Sequence, residues 1–197
     1  VRRLYEDIWA ALPDELDVPD SAIREGALAQ LAFDAGARVL DLGCGAGHFT
    51  RLLAERGADV TAADVAAGAL KRTARAEPRA ATALIEPHGP WPFGDDEFDA
   101  VWCSETIEHV ADVERWLGEI RRVTRPGAGV VFTTPNHGRV STAFAVLRRG
   151  PETVLDPRSD HLRFFSAASL RDVLEDAGFA RVATRRAGQV LIATCAS

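Results

Sequence analysis

Methionine is absent from the 197-residue sequence, lysine occurs once as Lys71, and cysteine occurs three times, as Cys44, Cys103 and Cys195. Three thiols make neither an even disulfide framework nor a Cys-x-x-Cys pair, so reduced, buried thiols in a cytoplasmic setting are expected. Because every base except Lys71 is arginine, pairs such as Arg121-Arg122 and Arg148-Arg149 follow a chain-wide preference and carry little weight as binding signals. No run approaches the ~18 apolar residues of a membrane helix. The opening Val1-Arg2-Arg3-Leu4-Tyr5-Glu6-Asp7 also lacks a signal peptide's apolar centre. A soluble, cytoplasmic protein with no membrane partner is expected. Bases are outnumbered: 23 against 29 acids give a formal charge of −6, a field that repels polyanions and disfavours nucleic acid as a partner. No sequence feature reports an oligomeric state.

What is present is globular in character, with 47% hydrophobic and 26% charged residues in a length that suits one domain spanning 1–197. Hydrophobic periods of two and 3.6 alternate along the chain. Arg38 to Asp41 reads as a strand, Phe49, Leu52 and Leu53 as one face of a helix closed by Gly57, and Asp59 to Asp64 as a second strand. A helix over 66–76, a strand from Ala81 to Ile85, a strand from Phe98 to Cys103 and an amphipathic helix with Val113, Trp116, Leu117 and Ile120 follow. Arg125-Pro126-Gly127 is expected to stop that helix, Ala128 to Thr134 to form the fifth strand, and 166–177 a further helix ended by Gly178. Strands over 179–184 and 189–195, separated by Arg185 to Gly188, suit an antiparallel hairpin. The pattern predicts a doubly wound α/β sheet with ligands at the carboxyl ends of its central strands. Helices over 2–12 and 21–32, within a segment 1–35 expected to cover the site, lie outside that count. So does the connection 136–160, whose Val140, Phe144 and Leu147 at helical spacing suggest a lid over the acceptor.

The sharpest signal is Val39-Leu40-Asp41-Leu42-Gly43-Cys44-Gly45-Ala46-Gly47, a strand entering a helix through Gly-x-Gly-x-Gly. Glycines there allow a tight turn and close approach of a ligand to the main chain. Asp64 ends the next strand, where a carboxylate can accept hydrogen bonds from both hydroxyls of a ribose. The spacing departs from the dinucleotide fingerprint Gly-x-Gly-x-x-Gly. Asp41 would also repel a pyrophosphate, but it suits the cationic amino-acid end of S-adenosylmethionine. Here the sequence resembles the class I S-adenosylmethionine-dependent methyltransferases, small stand-alone type, over about residues 36–184. Further matching segments are Pro92 to Asp99, Glu105 to Val110, Arg121 to Gly127 and His161 to Ser166.

The resemblance implies a Rossmann-like seven-stranded sheet, order 3-2-1-4-5-7-6, mostly parallel with an antiparallel last strand. It implies S-adenosylmethionine as co-substrate, with Gly43 and Gly45 at the methionine part, Cys44 in the same loop, Asp64 and the adjoining Val65 at the ribose, and the Ser104 backbone at the amino-acid end. Glu86 is the candidate for adenine, displaced by one residue from the family position.

Glu105, Glu108 and His109 follow the fourth strand at i, i+3 and i+4 and share a face if the segment turns helically. Three readings stand: groups that only shape the site; His109 or His161 as the base that takes the acceptor's proton; or a divalent ion held by both carboxylates and His109, completed by His161. A similar Glu-x-x-Glu-His occurs in the ubiquinone-pathway O-methyltransferases and the small-RNA 3′-end methyltransferases, where metal binding is part of the family picture. His109 and His161 are the catalytic candidates. The expected function is methyl transfer from S-adenosylmethionine to a small-molecule acceptor, oxygen before nitrogen or carbon. The alternatives are a metal-dependent RNA 2′-O-methyltransferase and a non-catalytic S-adenosylmethionine-binding protein. His48, beside the glycine loop, is expected to pack near the donor, Tyr5, Trp9 and Trp91 to be core or cover, and Trp102 to be core.

Overall fold

The computed structural model describes residues 2–13, 17–87, 89–137, 139–150 and 159–197, the side chains of 139–141, 145 and 149 excepted. Two helices lead, α1 (Arg2–Ala11) and α2 (Ser21–Leu28). Then come β1 (Arg38–Leu42), α3 (His48–Glu55), β2 (Asp59–Asp64), α4 (Ala67–Ala76), β3 (Ala81–Leu84) and β4 (Phe98–Ser104). A 3-10 turn (Ile107–His109) precedes α5 (Val113–Val123), β5 (Thr124–Pro135), α6 (Arg139–Arg149), α7 (Ala167–Asp176), β6 (Ala180–Ala187) and β7 (Val190–Ala196). The strand order is β3-β2-β1-β4-β5-β7-β6. β7 runs antiparallel to both β5 and β6, and the other pairings are parallel.

Alternation along the central strands buries both faces of the sheet. Val101 and Cys103 of β4 point to the side covered by Leu117, Ile120, Leu170 and Leu174 of α5 and α7. Ala100 and Trp102 point to the opposite side, against Leu28 of α2 and Phe49 and Leu53 of α3. Trp102 is core, as expected, and so is Trp91, whose ring meets Trp116 edge-on at 6.3 Å. The three thiols are free and buried. Among the described residues no helix is long and apolar enough to cross a membrane.

Three details differ from the sequence reading. β5 begins at Thr124, directly where α5 ends, because Thr124 pairs with Phe98 before a register shift brings Gly129 opposite Ala100. The hairpin stays paired through Ala187 and Val190, so its turn is only Gly188-Gln189, with Gly188 at φ +58°. Arg122 matters structurally: it donates to the carbonyls of Trp91 and Phe93 and pairs with Asp95 and Glu119, tying the proline-rich segment onto α5.

Candidate functional site

β1 and β4 are neighbours, but the chain leaves them in opposite directions across the sheet. Their carboxyl ends therefore border a crevice at the topological switch point. A cleft of about 280 Å³ opens there, close to the lower end of the ~300–1,000 Å³ usual for small-ligand sites. Gly43, Gly45, Asp64 and Val65 line one end, Glu105, Thr106 and His109 the other, and Tyr5, Ile8 and Trp9 of α1 the outer wall.

The glycine loop is held from below. Gly43 and Cys44 donate their N–H groups to the Ala63 carbonyl at 2.8 and 3.2 Å, and Gly43, Gly45 and Gly47 all adopt positive φ. A Cβ at Gly47 would stand 2.8 Å from the Thr73 backbone, a contact that cannot relax. Thr73 also donates its hydroxyl to the Gly45 carbonyl at 2.9 Å and to Cys44 Sγ at 3.3 Å. Cys44 thus faces inward. Asp41 lies beneath the loop, accepts from the Thr50 hydroxyl at 2.5 Å and does not line the cleft. Burial drives its pKa up to about 7. Asp64 does reach the cleft, and its carboxylate accepts from the Ala66 and Gly45 amides at 2.9 and 3.2 Å. Burial raises its pKa, and those amides oppose the rise. Two fixed backbone donors orient this carboxylate and leave it lone pairs for a ligand's hydroxyls.

At the other end Glu105 holds φ +51°, an uncommon value for a residue with a side chain. Its N–H donates to the Thr133 carbonyl and its carboxylate accepts from the Thr133 hydroxyl, both at 2.9 Å. The 3-10 turn starts two residues later, so Glu105 does not share a helical face with Glu108 and His109. Glu108 is 1% exposed. One of its oxygens accepts from Thr134 at 2.9 Å, and Oε1 has no hydrogen-bond partner and lies 3.9 Å from His109 Nε2. Burial pushes its pKa up to about 8. The Glu108 carbonyl accepts from the Leu162 and Arg163 amides at 2.8 and 3.0 Å, and these two bonds bring the His161 ring within 4.8 Å of His109, centroid to centroid. His109 Nδ1 lies 3.1 Å from the Asp160 carbonyl, which can only accept. Nδ1 therefore carries the proton and Nε2 is the basic nitrogen. Burial lowers the pKa of His109.

Glu108, His109 and His161 each offer a ligand atom within 4.8 Å of the others. The expected four-residue constellation is thus narrowed to three, with Glu105 turned toward Thr133. Neither Ser104 nor His161 lines the cleft itself, and the Ser104 hydroxyl is within 2.8 Å of that of Thr133. His48 pairs with Glu25 at 3.1 Å, away from the cleft. Glu86 pairs with Arg2 at 2.9 Å, and His88 lies outside the described residues.

Arg24 escaped the sequence reading. It is buried, its Nη1 lies 3.5 Å from the Ser104 hydroxyl, and its Nε has no partner. The available signal was a charge on the apolar stripe of Arg24, Ala27, Leu28 and Leu31. Of the expected lid, no described residue of α6 lines the cleft, and Phe144 and Leu147 are 58% and 85% exposed. Residues 151–158 lie outside the described residues. The cover that is present is α1, inside the predicted segment 1–35.

The strand order, the reversed β7 and the glycine loop at the switch point define a Rossmann-like domain with the class I methyltransferase fold. The chain belongs to the methyltransferase-domain family, whose model matches residues 17–184. The ubiquinone biosynthesis O-methyltransferase of Psychrobacter arcticus is 33% identical over 163 residues, 75% of this chain and 60% of that protein. The chain thus spans about 60% of the length of that relative. The malonyl-[acyl-carrier protein] O-methyltransferase of Serratia marcescens is 38% identical over 99 residues, 50% of this chain and 38% of that protein. The S-adenosylmethionine-dependent methyltransferase structure from Mesorhizobium loti superposes with a TM-score of 0.72 at 21% identity, covering 90% of this chain and 99% of that one.

Proposed function

We propose that the protein transfers the methyl group of S-adenosylmethionine to an oxygen of a small-molecule acceptor. One observation carries this: a single cleft joins the oriented Asp64 carboxylate, across the glycine loop, to a neutral imidazole at the far end. Bound S-adenosylmethionine supplies an electrophilic methyl group on a sulfonium. The chain's residues supply the rest. Asp64, with Val65 beside it, receives the ribose hydroxyls; the Gly43 and Gly45 main chain lets the methionine part approach. The Ser104 backbone, beside the cleft, receives the amino-acid end, and the buried Arg24 stands behind it, held by the Ser104 hydroxyl and the Pro19 carbonyl. Asp41 and Cys44 support the loop from beneath.

His109 Nε2 accepts the acceptor's hydroxyl proton, while Asp160 fixes the tautomer and His161 packs against the ring. Apart from that proton, the reaction needs alignment above all, which a walled cleft provides. A metal-assisted form of the same transfer is the second reading, favoured by the convergence of Glu108, His109 and His161; a divalent ion there would be held by one carboxylate oxygen and two imidazoles. The charge of −6 supports a small acceptor over RNA, and the three free thiols support a cytoplasmic setting. Calorimetry with S-adenosylmethionine, S-adenosylhomocysteine and NAD tests the cofactor assignment. Tighter binding of NAD than of the first two overturns it. Incubation with radiolabelled donor and a metabolite extract tests the transfer; labelled RNA, or no labelled product at all, rejects the small-molecule reading.

A further inference from the structure

We propose that α1 is a gate over the cofactor cleft and that Glu6 is the positioning residue that latches it, an inference that rests on the cofactor reading above. A ligand stretched from Asp64 toward His109 passes beneath Tyr5 and Trp9. The Cη2 and Cζ2 atoms of Trp9 lie 3.2 and 3.3 Å from where a side chain on Gly45 would begin, so the indole rests on the glycine loop. Its other edge meets α4, with Cβ of Trp9 3.1 Å from the corresponding position on Gly68. A bound ligand cannot leave along this wall unless α1 lifts.

None of the residues of α1 is fully buried, and of its apolar side chains only Tyr5, Ile8 and Trp9 are partly so, so polar ties add to a limited apolar contact. Residue Ala66 gives the first turn of α4 no side-chain cap; Glu6, 61 positions earlier, supplies it by accepting from the Ala67 and Gly68 amides at 2.6 and 3.1 Å. These are orphan donors at the positive end of a helix, where a carboxylate is favoured. Arg72 of α4 answers at the other end of α1, donating to the carbonyls of Trp9, Leu12 and Pro13 at 3.3, 2.6 and 2.5 Å. Arg2 donates to the Val65 and Ile85 carbonyls at 3.2 and 3.0 Å, across the ends of β2 and β3. Water can replace each of these bonds when the helix lifts, so closure is reversible and local. α1 and α4 thus satisfy each other's open backbone groups, and the aromatic wall of the cleft is set by that exchange.

The test measures how fast tritiated S-adenosylhomocysteine binds to and leaves the full chain, in the wild type, Glu6→Gln, Glu6→Ala and Arg72→Met, with melting temperature as the control for folding. Removing the carboxylate is expected to raise both the association and the dissociation rate constants about tenfold, so that Kd moves less than either. Arg72→Met acts in the same direction. Rates unchanged in all three variants overturn the latch. Faster release with unchanged association makes α1 a wall and not a gate, and overturns it too. If the wild type binds no S-adenosylhomocysteine, the cofactor reading has failed, and hydrogen exchange on the ligand-free chain decides the latch separately. Glu6→Gln must then speed exchange of the α1 amides while α3 stays as it was; equal α1 exchange in wild type and variant overturns the latch.

Discussion

The two ends of the cleft are built from different materials. The Asp64 end is mostly backbone: three glycines at positive φ, amides fixed on Ala63 and Asp64, and a threonine beneath them, all within the contiguous stretch from β1 to α4. The His109 end is side chains from distant segments, a 3-10 turn, the stretch around Asp160 and His161 and the helix α1, with the Glu108 Oε1 atom lacking a hydrogen bond. On the proposed function, an end made mostly of main chain depends on its glycines and on one side chain, the Asp64 carboxylate. A reacting end made of convergent side chains should respond to each of them, and to pH or metal.

The sharpest break is expected at the reacting end. His109→Ala removes the only imidazole that lines the cleft among the described residues and should lower turnover about 10²–10⁴-fold while S-adenosylhomocysteine affinity stays near wild type. The same assay with EDTA separates the two chemistries. Base-assisted transfer ignores the chelator, whereas reversible loss restored by magnesium or manganese establishes the metal-assisted form. At the binding end Gly47→Ala should destabilise the fold by about 3 kcal/mol, since a positive φ is combined with a 2.8 Å approach to the Thr73 backbone; denaturant melts measure this. Asp64→Ala should leave folding intact and weaken the cofactor by about 2–4 kcal/mol in calorimetry. Unchanged affinity removes Asp64 from the site.

The smallest effect concerns Asp41 and has a definite sign. Its pKa of about 7 in the fold exceeds that of an unfolded aspartate, about 3.9. Between those values the folded state holds the extra proton, so this group's contribution to stability is fullest below about pH 4 and is lost as pH rises through 7. Asp41→Asn should match the wild type near pH 4 and gain on it by on the order of 2 kcal/mol by pH 8, followed by thermal melts at both pH values. A constant difference across that range means that Asp41 does not titrate in the fold.

Sequence reasoning reached the Asp64 end of the cleft because its parts are local. The spacing of Gly43, Gly45 and Gly47 and the acid at the end of β2 are properties of one contiguous stretch, and backbone turns leave glycine as a visible mark. The α/β alternation and the reversed β7 were legible for a related reason: periods of two and 3.6 report which faces are buried, and a short connection between two strands forces a hairpin, whereas the strand order came from the family resemblance alone. Long-range placement was not legible in the same way: Phe144 and Leu147 of α6 face solvent, and α1, whose Tyr5, Ile8 and Trp9 are partly buried, forms the outer wall of the cleft.

The sequence alone determined the fold class, the glycine loop with Asp64, the free thiols and the charge of the whole, all of them consequences of residue type and short-range spacing. Only the tertiary structure decided that Glu108, His109 and His161 converge while Glu105 turns to Thr133, that Arg24 reaches Ser104, and that Glu6 caps a helix 61 residues away. Those are contacts between elements brought together by the sheet. Their partners are chosen by strand order and by the few backbone bonds that tie each loop to the rim, and neither is encoded in the spacing of neighbours along the chain.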